Sequence, residues 1–438
     1  MNRTTAITAD AGAVGALDLP DHRLFRWSQL VIGIVCMALI ANLQYGWTLF
    51  VSPIDQKYHW GRAAIQLSFS IFVLVETWLV PIEGFLVDRF GPRPVVAFGG
   101  ILAGIGWVLY SSAGTLTQLY VAAVLSGLGA GCVYGTCVGN ALKWFPDRRG
   151  LAAGLTAAGF GVGAAFTVIP IANMIHASGY EHTFFVFGLI QGACIFVLAL
   201  FMVRPRTPRG VVAQARLVMS KVDYTAAQMI RTPVFWLTYA LFVAVAAGGL
   251  IATAQIGPMA KDFGLAKMPV TVFGTSMMLL TLTLSIDNLA NGLTRPLCGV
   301  LSDWIGRENT MLLVFVGEGL ALLGLMTFGH DPVAFLIFAP MVFLFWGEIF
   351  SIFPALCGDT FGAKYVTGNA GTLYTAKGTA SLLVPLASVL SVGGNWNRVL
   401  VFAATIAIIA GLVAKFVLAP MRARFIAQGN AKAEAAAR

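Results

Sequence analysis

Long apolar runs separated by short polar stretches recur along the chain. They fall at about 28–50, 64–86, 94–113, 117–143, 150–175, 183–203, 233–258, 270–302, 309–328, 332–357, 365–392 and 396–419. Each is long enough for a helix that crosses a bilayer, which takes about 20 residues. The pattern predicts an all-α integral membrane protein with twelve transmembrane helices, and an even count puts both termini on one side. Only three polar stretches are long: residues 1–27, 204–232 and 420–438. They divide the chain into an N-terminal tail, a six-helix bundle over 28–203, a linker, a second six-helix bundle over 233–419 and a C-terminal tail. The first 27 residues have no cleavage site before a short apolar core, so they read as a tail and not as a removed signal peptide.

Composition agrees. Hydrophobic residues make up 58% and charged residues 11% of the chain, against roughly a quarter charged in soluble domains. The net charge of +9 does not point to nucleic acid, because the cations are spread over loops between apolar spans. With the N-terminus inside, twenty of the 28 Lys and Arg fall in inside segments and five in outside ones (Lys57, Arg62, Lys261, Lys267, Arg398). That bias places both termini in the cytoplasm and the protein in the cytoplasmic (inner) membrane. Lys415 lies near enough to the inner end of the last helix to snorkel.

Two cations remain, Arg295 and Lys377, each in the middle of an apolar run. A charge at mid-bilayer costs at least about 2.5–3.5 kcal/mol and marks a functional site by default. Neither has an obvious fixed anionic partner in the sequence, so the pair reads as a site for an anionic substrate. The six cysteines form no CxxC pair and the five histidines lie in tails or loops. Neither a metal site nor a histidine proton relay is expected, no cofactor is implied, and no nucleophile–base constellation indicates an enzyme.

A motif occurs twice. Gly84-Phe85-Leu86-Val87-Asp88-Arg89-Phe90-Gly91 ends the second span, and Gly299-Val300-Leu301-Ser302-Asp303-Trp304-Ile305-Gly306-Arg307 ends the eighth, about half the chain length later. Two halves therefore follow one plan, as parallel repeats do in transporters. Gly91 and Gly306 suit a tight turn with positive φ. The motif resembles the loop signature of the major facilitator superfamily, which implies that fold. Gly131, Gly135 and Gly139, then Gly150, Gly154 and Ala158, and Gly159 with Gly163, have the small-residue spacing that brings helix backbones together. They predict tight packing of the fourth and fifth spans.

Further segments resemble a narrower group, the oxalate:formate antiporter family. They are Gln44-Tyr45-Gly46-Trp47-Thr48-Leu49, the stretch from Lys143 to Ala152, Arg231-Thr232-Pro233-Val234-Phe235-Trp236, Asn291-Gly292-Leu293-Thr294-Arg295-Pro296 and Ala376-Lys377-Gly378-Thr379-Ala380-Ser381. The resemblance implies that Arg295 and Lys377 bind substrate, the pair already singled out by their position. It also implies that Gln44, Tyr45, Tyr134, Phe160, Trp346 and Phe350 line the cavity. Arg offers a planar fork for one carboxylate and Lys a point charge for the other. The implied function is exchange of oxalate for formate by alternating access; nothing in the sequence points to an oligomer, and a monomer is the default expectation.

The sequence departs from the family's pattern at Phe160 and Phe350, where Tyr is frequent, and at Ala370, where an aromatic is expected. Acids also appear at Asp287, Glu318 and Glu348, with Glu76 and Glu83 in the second span. Asp287, Asn291 and Arg295 share one side of a helix. The first and last are about 12 Å apart along it, so Asn291 is the residue placed to bridge them. Glu348 points away from the side that Trp346 presents, and Glu83 is assigned to the interface around the first motif. A buried Asp287 that binds a proton with the substrate would make the protein a proton-coupled symporter of a monocarboxylate or another small dicarboxylate. With both cations unpaired, closing an empty site is costly, which favours exchange.

Overall fold

The computed structural model describes residues 22–145, 149–204, 220–272, 274–362 and 365–437. The tail up to residue 21, Pro146–Arg148 and residues 205–219 of the linker lie outside them. The described chain is helical apart from one small hairpin.

The first set of helices is α1 (His22–Tyr45), α2 (Thr48–Tyr58), α3 (Arg62–Trp78), α4 (Val80–Phe90), α5 (Pro92–Ser111), α6 (Leu116–Trp144) and α7 (Arg149–Ala199). Several expected spans are interrupted. The first breaks between α1 and α2 at Gly46 and Trp47, and the second breaks before Pro81, whose missing N–H cannot continue the ladder. The 51-residue α7 bends at Gly179, whose φ of 84° is not helical. Thr115 caps α6 by accepting from the Gln118 amide at 3.3 Å.

A short helix, α8 (Ala226–Met229), leads into the second set: α9 (Pro233–Asp262), α10 (Leu279–Ile305), α11 (Arg307–Phe328), α12 (Pro332–Trp346), α13 (Ile349–Phe361), α14 (Val366–Ser381), α15 (Val384–Leu390), α16 (Asn397–Val413) and, after a π-helical turn, α17 (Ala419–Ala437). Here too the expected spans are broken, between α12 and α13 and between α14 and α15. The stretch expected to be helical from 270 starts instead as an antiparallel hairpin, β1 (Pro269–Val272) and β2 (Thr275–Met278), turning at Gly274 with φ 79°. Pro269 and the β-branched residues after it favour extended backbone, and the helix starts only at Leu279. The expected C-terminal tail is helical as α17, and its Glu434 pairs with Lys221 of the connector at 2.8 Å.

Ten helical stretches among the described residues are long and apolar enough to cross a membrane. One runs from Leu151 to Ala199 through the Gly179 bend, and α10 is not among the ten. Several of the glycines expected to join the fourth and fifth spans serve other neighbours, and Gly139 has none within 4 Å. A Cβ at Gly131 would meet the Glu76 carbonyl at 2.8 Å, and one at Gly159 would meet that of Ile34, also at 2.8 Å. They seat α6 on α3 and α7 on α1.

The second copy of the repeated motif is tied within its own set. Arg307 pairs with Asp303 at 2.8 Å and with Asp359 at 3.1 Å, and also bonds the Ser302 hydroxyl. Gly299 lies open within α10, and Gly306 has φ 90°. In the first copy Gly91 has φ 85° and exposed Arg89 stacks on Phe90. The side chains of Gly84, Phe85 and Asp88 lie outside the described residues.

The two sets meet along α7 with α10 and α3 with α14. A Cβ at Gly161 would lie 2.6 Å from the Gly292 Cα, so these two glycines let α7 and α10 touch backbone to backbone. The first set also meets α9: the Gln66 amide of α3 donates to the Ala254 carbonyl at 2.7 Å, and Thr48 of α2 accepts from the Gly257 amide at 2.7 Å. Arg62 grips Asp262 through both nitrogens at 2.6 and 2.7 Å.

Candidate functional site

Contact between α7 and α10 buries Arg295, which is 1% exposed. It donates to the Ala157 carbonyl on α7 at 2.7 Å, to the Tyr45 hydroxyl on α1 at 3.2 Å, and to the Asn291 Oδ1 one turn back at 3.4 Å. All three acceptors are neutral. Its Nε is buried without a partner. Among the described residues no carboxylate pairs with it.

Lys377 enters from α14 and is fully buried. No counter-ion is evident for it from the sequence, and the structure supplies one. Its Nζ lies 2.9 Å from the Glu76 Oε2 on α3, and both side chains are inaccessible. It also reaches the Tyr374 hydroxyl at 3.3 Å. The other Glu76 oxygen has no partner. The expectation of two unpaired cations is therefore corrected: the site holds two fixed positive charges and one fixed negative charge.

Six aromatic rings close a circuit around the cations. Tyr45 contacts Phe160 at 5.4 Å, Phe160 contacts Tyr134 at 5.3 Å, and Tyr134 stacks on Tyr374 at 5.4 Å. Tyr374 then meets Phe350 at 6.1 Å, Phe350 meets Trp346 at 5.3 Å, and Trp346 returns to Tyr45 at 6.5 Å. The Phe350 ring lies 4.6 Å from the Arg295 guanidinium and 5.6 Å from the Lys377 ammonium. Phe160 and Tyr374 face Lys377 at 5.4 and 5.5 Å. Ring faces attract a desolvated cation by about 2 kcal/mol each, which lets two charges sit in an apolar box. The helix breaks place these walls: Tyr45 ends α1, Trp346 ends α12, and Phe350 opens α13.

The structure thus brings together Arg295, Lys377, Tyr45, Tyr134, Phe160, Trp346, Phe350 and Asn291. Gln44 is buried, with both side-chain polar atoms unpartnered. Asp287 is also buried, and neither of its oxygens has a partner. Asn291 reaches Arg295, but no hydrogen bond links it to Asp287 among the described residues. Glu83, Glu318 and Glu348 are buried with both oxygens unpartnered. Sequence reasoning missed Tyr374 and the role of Glu76. Tyr374 lies three residues before Lys377, hence on the same helix face. Glu76 carries the signal that selected the two cations, a charge inside an apolar run.

This arrangement can hold a small anion. Arg295 offers a buried guanidinium with neutral partners only, Lys377 a second positive charge, and the rings exclude water, which strengthens both attractions.

Residues 30–385 match the sequence profile of the Major Facilitator Superfamily. The chain is 34% identical over 398 residues to the oxalate:formate antiporter of Oxalobacter formigenes, covering 90% of this chain and 92% of that one. It is 28% identical to the uncharacterized MFS-type transporter YhjX of Escherichia coli (strain K12), over 83% of this chain and 87% of that protein. Human monocarboxylate transporter 11 is 27% identical, over 67% of this chain and 60% of that protein.

Proposed function

The chain belongs to the major facilitator superfamily of transporters, and we propose that its cargo is a small carboxylate, oxalate taken in exchange for formate. The observation that carries this reading is the placing of Arg295 and Lys377 in one closed aromatic box. Arg295 takes one carboxylate through its fork, and Lys377 takes the other end of a dicarboxylate. Similarity to an oxalate:formate antiporter supports the same choice.

We read the architecture as twelve crossings in two six-helix bundles, over 28–203 and 233–419. The stretch Leu151–Ala199 counts as two, being 49 residues long and bent at Gly179, and α10 adds one. The excess of Lys and Arg on the loops of one side puts both termini in the cytoplasm. The cytoplasmic membrane is the proposed location and a monomer the working unit.

The test is uptake of labelled oxalate into proteoliposomes with and without internal formate. Uptake that requires internal anion supports exchange. A second reading, proton-coupled symport, draws on buried Asp287 and on similarity to a monocarboxylate transporter. Uptake into empty liposomes that is driven by external acid and lost in Asp287→Asn would replace exchange by symport.

A further inference from the structure

Glu76 stands where the second carboxylate of a cargo would go. Its Oε2 lies 2.9 Å from the Lys377 Nζ, and neither side chain is accessible. The backbones around it hold that place. A Cβ at Gly378, next to Lys377, would lie 3.2 Å from the Leu74 Cα, so α14 rests directly on α3 beside Glu76. Arg295 shares the Phe350 ring with Lys377, but its own hydrogen bonds go to Ala157, Tyr45 and Asn291. Glu76 therefore answers one cation of the box and leaves the other to the cargo.

Two kinds of cargo meet this carboxylate differently. A monocarboxylate on Arg295 leaves the Lys377–Glu76 pair whole. A dicarboxylate reaches Lys377 only by taking the place of Glu76, so it replaces one buried ion pair by another instead of adding one. Breaking a buried pair leaves a charge without its partner, which is strongly unfavourable. Glu76 is thus a competitor fixed in the wall, and it weakens only the second grip. Differences in affinity among related complexes fall mainly on the rate of release. With no competitor, a dianion held at both ends would leave far more slowly than a monoanion held at one. An exchanger has to release both.

Resting on the carboxylate-exchange reading, we propose that Glu76 sets the selectivity between the two cargoes. It competes with the second carboxylate of a dicarboxylate for Lys377, and so brings the affinities for oxalate and formate close enough for each to displace the other.

The experiment measures oxalate and formate affinity at one fixed pH, by competition against labelled oxalate, and the maximal rate of exchange in formate-loaded proteoliposomes. Glu76→Gln keeps the shape and loses the charge. It is expected to raise the affinity for oxalate relative to formate by about tenfold or more, and to lower the KM for oxalate together with the maximal rate. Damage to the fold alone would not lower KM. An unchanged or smaller preference for oxalate overturns the inference and leaves carboxylate exchange standing; no binding of oxalate by the wild-type carrier removes both. Glu76→Gln combined with Lys377→Ala is expected to lose the gain, because the competition is for Lys377, and a gain that persists without Lys377 overturns the assignment. Glu76→Asp keeps the charge on a shorter arm and is expected to shift the preference the same way by a smaller factor. If Glu76→Gln does not fold, this variant decides, and an unshifted preference overturns the proposal.

Discussion

Ser70 and Ser381 are bonded to each other twice. The Ser70 hydroxyl donates to the Ser381 carbonyl at 2.5 Å, and the Ser381 hydroxyl donates to the Ser70 carbonyl at 3.0 Å. The two residues come from α3 and α14, the helices that carry Glu76 and Lys377. Farther along the same seam, the Trp78 indole donates to the Thr375 carbonyl at 3.1 Å.

Alternating access requires that seam to part. A Ser70→Cys/Ser381→Cys pair joined by a short bifunctional thiol reagent is therefore expected to stop transport, and cleaving the reagent to restore it. Full transport with the bridge in place, verified by mass spectrometry, would show that α3 and α14 do not separate.

Arg295→Lys keeps the charge and loses the fork. A hydrogen bond to a charged group contributes about 1.5–3 kcal/mol, so oxalate affinity is expected to fall roughly 10- to 100-fold. Lys377→Ala should weaken dicarboxylates more than monocarboxylates. Competition of unlabelled acids against labelled oxalate reads both, and equal mild losses for both substrate types would rule out a two-ended grip.

The buried pair makes a prediction about stability. Removing one partner leaves the other charge unpaired, at about 3–5 kcal/mol. Lys377→Ala and Glu76→Ala should each lower the melting temperature in detergent, and the double variant should recover most of the loss. Additive losses in this cycle would mean that the 2.9 Å contact is not a coupled ion pair.

Cysteines at Tyr45, Tyr134, Trp346 and Tyr374 are expected to react with a water-soluble thiol reagent when the carrier opens, and oxalate should slow them. Rates indifferent to oxalate would put these rings outside the binding cavity.

Much of the site was legible because an ionised group in an apolar run stands out in one dimension. Arg295 and Lys377 were found that way, and the family resemblance supplied five of the six rings. The partnership of Lys377 with Glu76 was not legible, since the two are 301 residues apart and nothing local to either names the other. Tyr374 was within reach by its three-residue spacing from Lys377, but an aromatic in an apolar run carries no signal that separates a cavity wall from packing. The hairpin at 269–278 was hidden because Pro269 to Met278 is apolar enough to extend the run that follows. Interruptions such as that at Gly46 leave hydropathy unchanged, so run length does not reveal where a helix bends.

Both cations of the box belong to the chain after residue 232, while the carboxylate that answers Lys377 belongs to the chain before residue 204. When the two sets part, Arg295 and Lys377 leave together and Glu76 stays behind. The molecule is then unequal in a way its repeated sequence conceals: one half is the seat and the other the stopper. On the carboxylate-exchange proposal, cargo rides on the seat. The stopper's carboxylate fills the place at Lys377 when no second carboxylate is there to take it.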